Sequence, residues 1–132
     1  MDDFTIESFA NYRLEKAKET LNSAELLYKY KDFVGATNRA YYGIFYAIRA
    51  VLALEKVDFK RHKDVIAYFN KNYVHTEIFP KIMGSKIAQA KKIREDSDYD
   101  EEFEPSSEQT QIQIDTVIDL IDLVEKYLKD KS

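Results

Sequence analysis

FVGATNRAYYGIFYAIRAVLALE, residues Phe33 to Glu55, is the stretch whose reading decides the fold. Phe33, Ala36, Ala40, Ile44, Ile48 and Val51 recur every three or four residues, so they share one side of a helix with 3.6 residues per turn. Upstream, Ala10, Leu14, Ala17, Leu21, Ala24 and Tyr28 form a 4-3-4-3-4 seam that predicts a helix from about Thr5 to Tyr30. Lys31-Asp32 breaks that pattern. So short a spacer implies an antiparallel hairpin of the two helices.

Downstream, the polar link KVDFKR (residues 56–61) leads to a short third helix from about His62 to Tyr73, with Val65, Ile66, Phe69 and Tyr73 inward. A fourth is expected from about Ile78 to Glu95, with Ile78, Ile82, Ala90 and Ile93 as its seam. Pro80 suits its first turn, and Gly84 weakens it enough for a break. Residues 97–104 are strongly acidic and predict a loop. Ser106 and Gln109 then have capping-box spacing, opening a last helix to about Lys129 along Thr110, Ile114, Val117, Ile121, Val124 and Leu128. The expectation is one all-α domain over residues 1–132, an antiparallel up-and-down bundle of four to five helices.

Composition agrees and excludes some chemistry. The chain is 45% hydrophobic and 33% charged, with 3 Gly and 2 Pro, too few for a many-turned sandwich or barrel. There is no Cys, which removes disulfides and thiolate metal sites. His62 and His75 are the only imidazoles, with no paired Glu-x-x-His motif, so no metal or other cofactor is expected. Gly-x-Ser-x-Gly and Gly-rich phosphate loops are also missing. Met1 to Phe9 has no apolar run of the kind a signal peptide carries, and no stretch approaches the ~20 apolar residues of a membrane span. A cytoplasmic protein without a membrane role is therefore expected. The net charge of −4 hides an asymmetry: residues 95–104, EDSDYDEEFE, hold seven carboxylates and no base, leaving about +3 on the remainder.

The second helix carries more than its seam needs. Asn38, Arg39, Tyr42, Tyr46 and Arg49 lie off that seam. Arg39 and Tyr46, seven residues apart, project within about 20° of one another and about 10 Å apart along the axis. Guanidiniums beside an aromatic hydroxyl make a plausible phosphate site, because Arg donates bidentately to anionic oxygens. At the same spacing, Tyr41, Tyr42 and Tyr46 also fit core or interface aromatics, and exposed Arg is commonly just solvated.

NRAYYGIFYAIRAVL (Asn38 to Leu52) resembles the second-helix signature of HEPN domains, in the branch of small standalone proteins. KRHKDVIAYF (Lys60 to Phe69) is similar to that family's third-helix start, and AKKIREDSDYD (Ala90 to Asp100) to its Arg-x-x-x-Asp-Tyr close. The resemblance spans about residues 8–127. It implies a helical bundle and, in many members, a metal-independent ribonuclease with Arg, four to six residues, then His, the motif paired across a homodimer. Arg39 matches the Arg that would stabilise the scissile phosphate. Tyr46 stands where His is expected, and a phenol, titrating near pH 10 in water, is a poor general base. His62, flanked by Lys60, Arg61 and Lys63 at a helix start, is the imidazole left to take that role. The resemblance thus marks Arg39, Tyr46 and His62 as catalytic candidates and Asn38, Arg39, Arg49, His62 and Lys63 as phosphate contacts. Tyr42, Arg94, Asp98 and Tyr99 are its structural motif residues. Arg94 or Arg39 is expected to pair with an acidic-segment carboxylate and hold that loop to the bundle.

Two functions follow. One is a protein that binds RNA or a nucleotide phosphate through the Arg-centred face, as the toxin-like half of a toxin–antitoxin pair. Its partner would be a small nucleotidyltransferase, with Tyr42, Tyr46 and Tyr99 as candidates for modification, and its ribonuclease activity would be weak or lost. The other is a non-enzymatic helical dimerisation module.

Overall fold

Two turns of the same kind set how the second helix enters and leaves the bundle. In the computed structural model, which describes residues 3–132, α1 (Asp3–Lys29) and α2 (Phe33–Leu54) form the expected hairpin. Met1 and Asp2, the start of the segment read as lacking a leader, lie outside the described residues. Lys31 adopts φ 64°, while the amides of Lys31 and Asp32 donate to the carbonyls of Tyr28 and Leu27. That is a Schellman close with lysine in the position glycine usually takes. Asp32 then caps α2 by accepting from the Gly35 amide at 2.9 Å. The end of α2 repeats the device: Lys56 has φ 60°, and the Val57 amide donates to the Leu52 carbonyl at 3.1 Å.

The central element is α2, packed against α1, α3, α4 and α5. Its expected seam is buried at Ala36, Ala40, Ile44, Ile48 and Val51, but so are Tyr41, Phe45, Ala47, Ala50 and Leu52, so burial extends well past one stripe. A helix apolar on most sides belongs inside a fold rather than on it. Gly43 marks the tightest approach: a methyl group there would meet Cγ1 of Val117, on α5, at 3.0 Å.

The second half of the chain departs from expectation in three places. The third helix is α3 (His62–Phe69) followed by a π-helical turn (Asn70–Val74), in which the His75 amide donates to the Asn70 carbonyl at 2.8 Å. Val65, Ile66, Phe69 and Tyr73 still point inward, and Phe69 and Tyr73 stack with centroids 5.4 Å apart. Next, α4 spans Ile82–Tyr99 rather than starting near Ile78, and Pro80 precedes it. Ile78 and Ile82 are 54% and 60% exposed, while Met83, Ile87, Ala90 and Ile93 make the core face. Phe79 sets this register: it fills the slot against Phe69, at 5.1 Å, before the helix begins. No break occurs at Gly84, whose missing side chain instead lets α4 lie close to Val74. Finally, the helix continues through the first acidic residues to Tyr99. Lys91–Glu95, Lys92–Asp96 and Arg94–Asp98 pair at (i, i+4) and stabilise the segment expected to be loop.

The last helix, α5 (Ser107–Lys131), opens with the expected capping box: Gln109 N–H donates to Ser106 Oγ at 3.0 Å and Ser106 N–H to Gln109 Oε1 at 2.8 Å. Its seam, Thr110 to Leu128, is buried throughout. The fold is thus an all-α bundle of five helices, with no strand among the described residues. No helix among them is long and apolar enough to cross a membrane.

Gly43→Val should lower stability by about 1–3 kcal/mol through overpacking at α5, and Ser106→Ala by about 1 kcal/mol through loss of the cap. Urea denaturation midpoints at unchanged slope would show both. A Gly43→Val protein as stable as wild type would contradict close packing there.

Candidate functional site

Arg39, one turn into the buried part of α2, is half-buried. Its Nε and Nη2 donate to Oδ1 of Asn38 at 3.2 and 2.9 Å. The guanidinium carbon lies 5.1 Å from the Tyr42 ring centre, within cation–π range. Among the described residues no carboxylate lies within ion-pair distance of it.

A second guanidinium reaches the same ring from α4. Arg94 Nη2 donates to Tyr42 Oη at 3.3 Å, and its guanidinium carbon is 4.9 Å from the Tyr41 ring centre and 5.4 Å from that of Tyr42. Its Nε faces Asp98 Oδ2 at 3.6 Å, an ion pair too long to be a hydrogen bond. The Arg–carboxylate pair expected from sequence therefore exists, but inside α4 rather than as a strap on a loop. Tyr42 thus carries two cations, offset in part by one carboxylate. Beside them opens a cleft of about 260 Å³, bordered by Leu27 and Val34 and by Asn38, Arg39, Arg94 and Asp98. A wider cleft of about 540 Å³, near the C-terminal end of α2, is bordered by Glu7, Glu55 and Lys131, a poorer charge balance for an anion.

His62, the first residue of α3, joins this face from the other side. Its ring lies over Phe45 with centroids 4.0 Å apart and meets Tyr42 edge-on at 5.6 Å. Tyr41 Oη is 3.4 Å from His62 Nδ1. Burial pushes the imidazolium below its ordinary range, and the positive charges of Arg94 and Arg49 push the same way. A neutral imidazole is the form that accepts a proton. Burial also pushes the Tyr41 phenol upward against the opposing charge of Arg94, so its hydroxyl stays protonated.

The remaining residues singled out from sequence divide sharply. Tyr46 lies 6.3 Å from the Tyr42 ring centre, with the Lys16 ammonium of α1 5.7 Å from its own. Arg49 turns away: its Nη2 donates to Asp58 Oδ2 at 2.7 Å, and Arg13 of α1 meets the same oxygen at 3.5 Å. For Asp58, burial works against ionisation, but the Arg49 hydrogen bond and the Phe59 amide outweigh it and hold the carboxyl below its usual range. Lys63 is exposed, and Tyr99 is 89% exposed at the end of α4. So Asn38, Arg39, Tyr42, Tyr46, His62, Arg94 and Asp98 share one face, with Arg49 at its border in an ion-pair triad. Sequence reasoning missed Arg13, Lys16, Phe45 and Asp58. The expected antiparallel pairing of α1 with α2 was the one signal that could have set Lys16 level with Tyr46. Among the described residues no group of three or more His, Asp or Glu converges as metal ligands do.

An all-α bundle whose buried central helix presents an aromatic strip set with guanidiniums defines the class of protein. Residues 10–127 match the HEPN domain. The chain is 32% identical over 124 residues to the UPF0332 protein of Thermotoga maritima, covering 94% of each. It is also 30% identical over 117 residues and 28% over 119 to two proteins of Methanocaldococcus jannaschii whose names mark them as candidate toxins. Those alignments cover 89% of this chain and 87% of the first, and 90% and 81% for the second. The chain belongs to the HEPN domain family.

The His62 environment has a pH consequence. A His whose folded value lies below its unfolded one, near 6.5, takes up its proton more readily when unfolded. Its contribution to stability is complete above about pH 6.5 and is lost as pH falls through the folded value. An NMR titration of the ring protons should give a midpoint below 6.5 in wild type and a higher one in Arg94→Gln. The acid-side fall in melting temperature between pH 6.5 and that midpoint should shrink in His62→Phe, which keeps the stack on Phe45. A wild-type midpoint at or above 6.5 would contradict the environment described.

Proposed function

We propose that this HEPN protein binds RNA or a nucleotide phosphate on the face formed by Arg39, Tyr42 and Arg94, as the toxin-like half of a HEPN–nucleotidyltransferase pair. The observation that carries the reading is Arg39 itself. It is half-buried, oriented by Asn38 and by the Tyr42 ring, and among the described residues faces no carboxylate. A positive charge withdrawn from water without a counter-ion destabilises a fold unless something compensates it, and a phosphate oxygen pair is the match for a guanidinium fork. Arg94 supplies a second guanidinium at the same ring. The candidate-toxin names of the two archaeal relatives support the toxin-like part of the reading.

Cleavage is assigned a lesser place. Tyr46 stands at the position of the motif's His, and its hydroxyl serves as a hydrogen-bond donor to a phosphate oxygen rather than as a base. His62, neutral and stacked on Phe45, is the group that would take a proton from a 2′-hydroxyl. The ribonuclease activity of this chain is therefore weak or lost, and independent of metal. Asn38 orients Arg39, Asp98 orients Arg94, and Arg49 and Lys63 add positive potential at the border. A homodimer is the assembly that brings two such faces together. The second reading, a dimerisation module without chemistry, is favoured by Phe9 and Tyr12 on α1 and Tyr30 just past its end, which are 46%, 64% and 72% exposed.

Binding of a labelled single-stranded RNA, followed by fluorescence anisotropy, tests the reading. Arg39→Ala should weaken binding tenfold or more, the effect of losing about 1.5–3 kcal/mol of charge-assisted hydrogen bonding. In EDTA, Tyr46→His should cut RNA faster than wild type, and His62→Phe in the otherwise wild-type chain should remove whatever cleavage wild type shows. Equal binding by wild type and Arg39→Ala would overturn the phosphate reading in favour of the interaction module.

A further inference from the structure

Lysines and arginines at the edge of the core are where an unexplained charge is easiest to see. Arg13, Lys18, Arg49, Lys86, Lys91 and Arg94 are all half-buried, and each faces a carboxylate within ion-pair distance. Among the described residues, two half-buried cations break this pattern: Arg39 and Lys16. The contact made by the Lys16 ammonium is with the Tyr46 ring face, at 5.7 Å. A lysine can reach water from a partly covered position, so packing alone does not require it to stay over that ring.

The two cations are linked through two neighbouring rings. Arg39 is 5.1 Å from the Tyr42 ring centre, Tyr42 is 6.3 Å from Tyr46, and Tyr46 is 5.7 Å from Lys16. Antiparallel pairing of α1 with α2 sets Lys16 level with Tyr46, seven residues beyond Arg39, which is about 10 Å along the helix axis. One phosphate group is too small to meet both cations. Two phosphates of a single strand, with a sugar and a base between them, are the right size, and aromatic rings between cations form a sequence-tolerant stacking surface.

We infer that Lys16 is a second phosphate contact of this face, and that the ligand is a single-stranded RNA spanning at least two phosphates rather than a mononucleotide. This rests on the phosphate reading of Arg39 given above and narrows it. Arg39 holds one phosphate, Lys16 holds another further along the strand, and the Tyr42 and Tyr46 rings lie between them. Tyr46 then has a role that a histidine would fill less well, as the platform that holds the Lys16 ammonium.

Titrations with an eight-nucleotide single-stranded RNA and with adenosine monophosphate, each across a salt series, separate the alternatives. Wild type should bind the oligonucleotide at least tenfold more tightly than the mononucleotide. Lys16→Gln should weaken oligonucleotide binding about tenfold and leave mononucleotide binding unchanged. It should also reduce the slope of log affinity against log salt by about 0.7, the single-strand value for one phosphate contact. Lys16→Arg should retain affinity and slope, and Arg39→Gln should weaken both ligands. Circular dichroism melts would confirm that each variant is folded. If Lys16→Gln matches wild type in affinity and slope while Arg39→Gln does not, the inference falls and the phosphate reading stands. If Arg39→Gln binds both ligands as wild type does, the phosphate reading falls and takes the inference with it.

Discussion

The structure depends on how closely its neighbours approach α2. Ala36, Ala40, Gly43, Ala47 and Ala50 present at most a methyl group, so α1 and α5 lie close to the α2 backbone. Dense packing of this kind raises the number of van der Waals partners per residue, and it also leaves little room for solvent at the borders of the contact. The polar residues that α2 carries on its remaining strip are therefore caught half in and half out of the core. Their charges are neither freely hydrated nor fully enclosed. A guanidinium or phenol in that position interacts more strongly with whatever meets it than it would on an open surface, because less water competes.

That constraint explains why some elements were legible in the sequence and others were not. The seams of α1, α2 and α5 are long, regular and flanked by clear stop signals, and they lie inward where their period placed them, with Leu21, Tyr28 and Phe33 only partly buried. The capping box at Ser106 was equally readable, since its two hydrogen bonds are local. The start of α4 was not. Ile78 and Ile82 look like core residues by hydrophobicity, yet the position of Phe79 against Phe69 turns them outward, and that contact is set by tertiary packing. Composition also misled at Ser97–Tyr99, which read as loop but continue α4, with Asp98 meeting Arg94 one turn earlier in the helix.

The site was half legible for a related reason. Residues on one helix can be placed on a face from their spacing alone, so Arg39, Tyr42 and Tyr46 were found together. Contributions from other helices could not be placed that way. Arg49 has the spacing of a site residue, but Asp58, nine positions on, draws it into a triad with Arg13. Lys16 looks like any solvated lysine on an amphipathic helix until the hairpin sets it over Tyr46. Charge at a site is decided by which cations find carboxylates, and that is a property of the fold.

Tyr46, at the position where the resemblance expects the motif's histidine, sits in the same geometry. A phenol in place of an imidazole removes a proton acceptor from the middle of the strip and leaves a flat ring that can hold a cation. The acceptor that remains, His62, enters from α3 and is reached through Phe45 and Tyr41 rather than along α2. The proposed anion contacts and proton acceptor are divided among four helices: Arg39 on α2, Arg94 on α4, Lys16 on α1 and His62 on α3. A face divided in this way holds a strand along its length well, since each cation is fixed by a different part of the core. It is less suited to bringing base and phosphate to one atom, which needs both groups within hydrogen-bond reach of the same hydroxyl. On the function proposed above, this division favours retention of a bound strand over its scission, for the same reason that the charges are half-buried: α2 is gripped from most sides and its neighbours supply what it cannot.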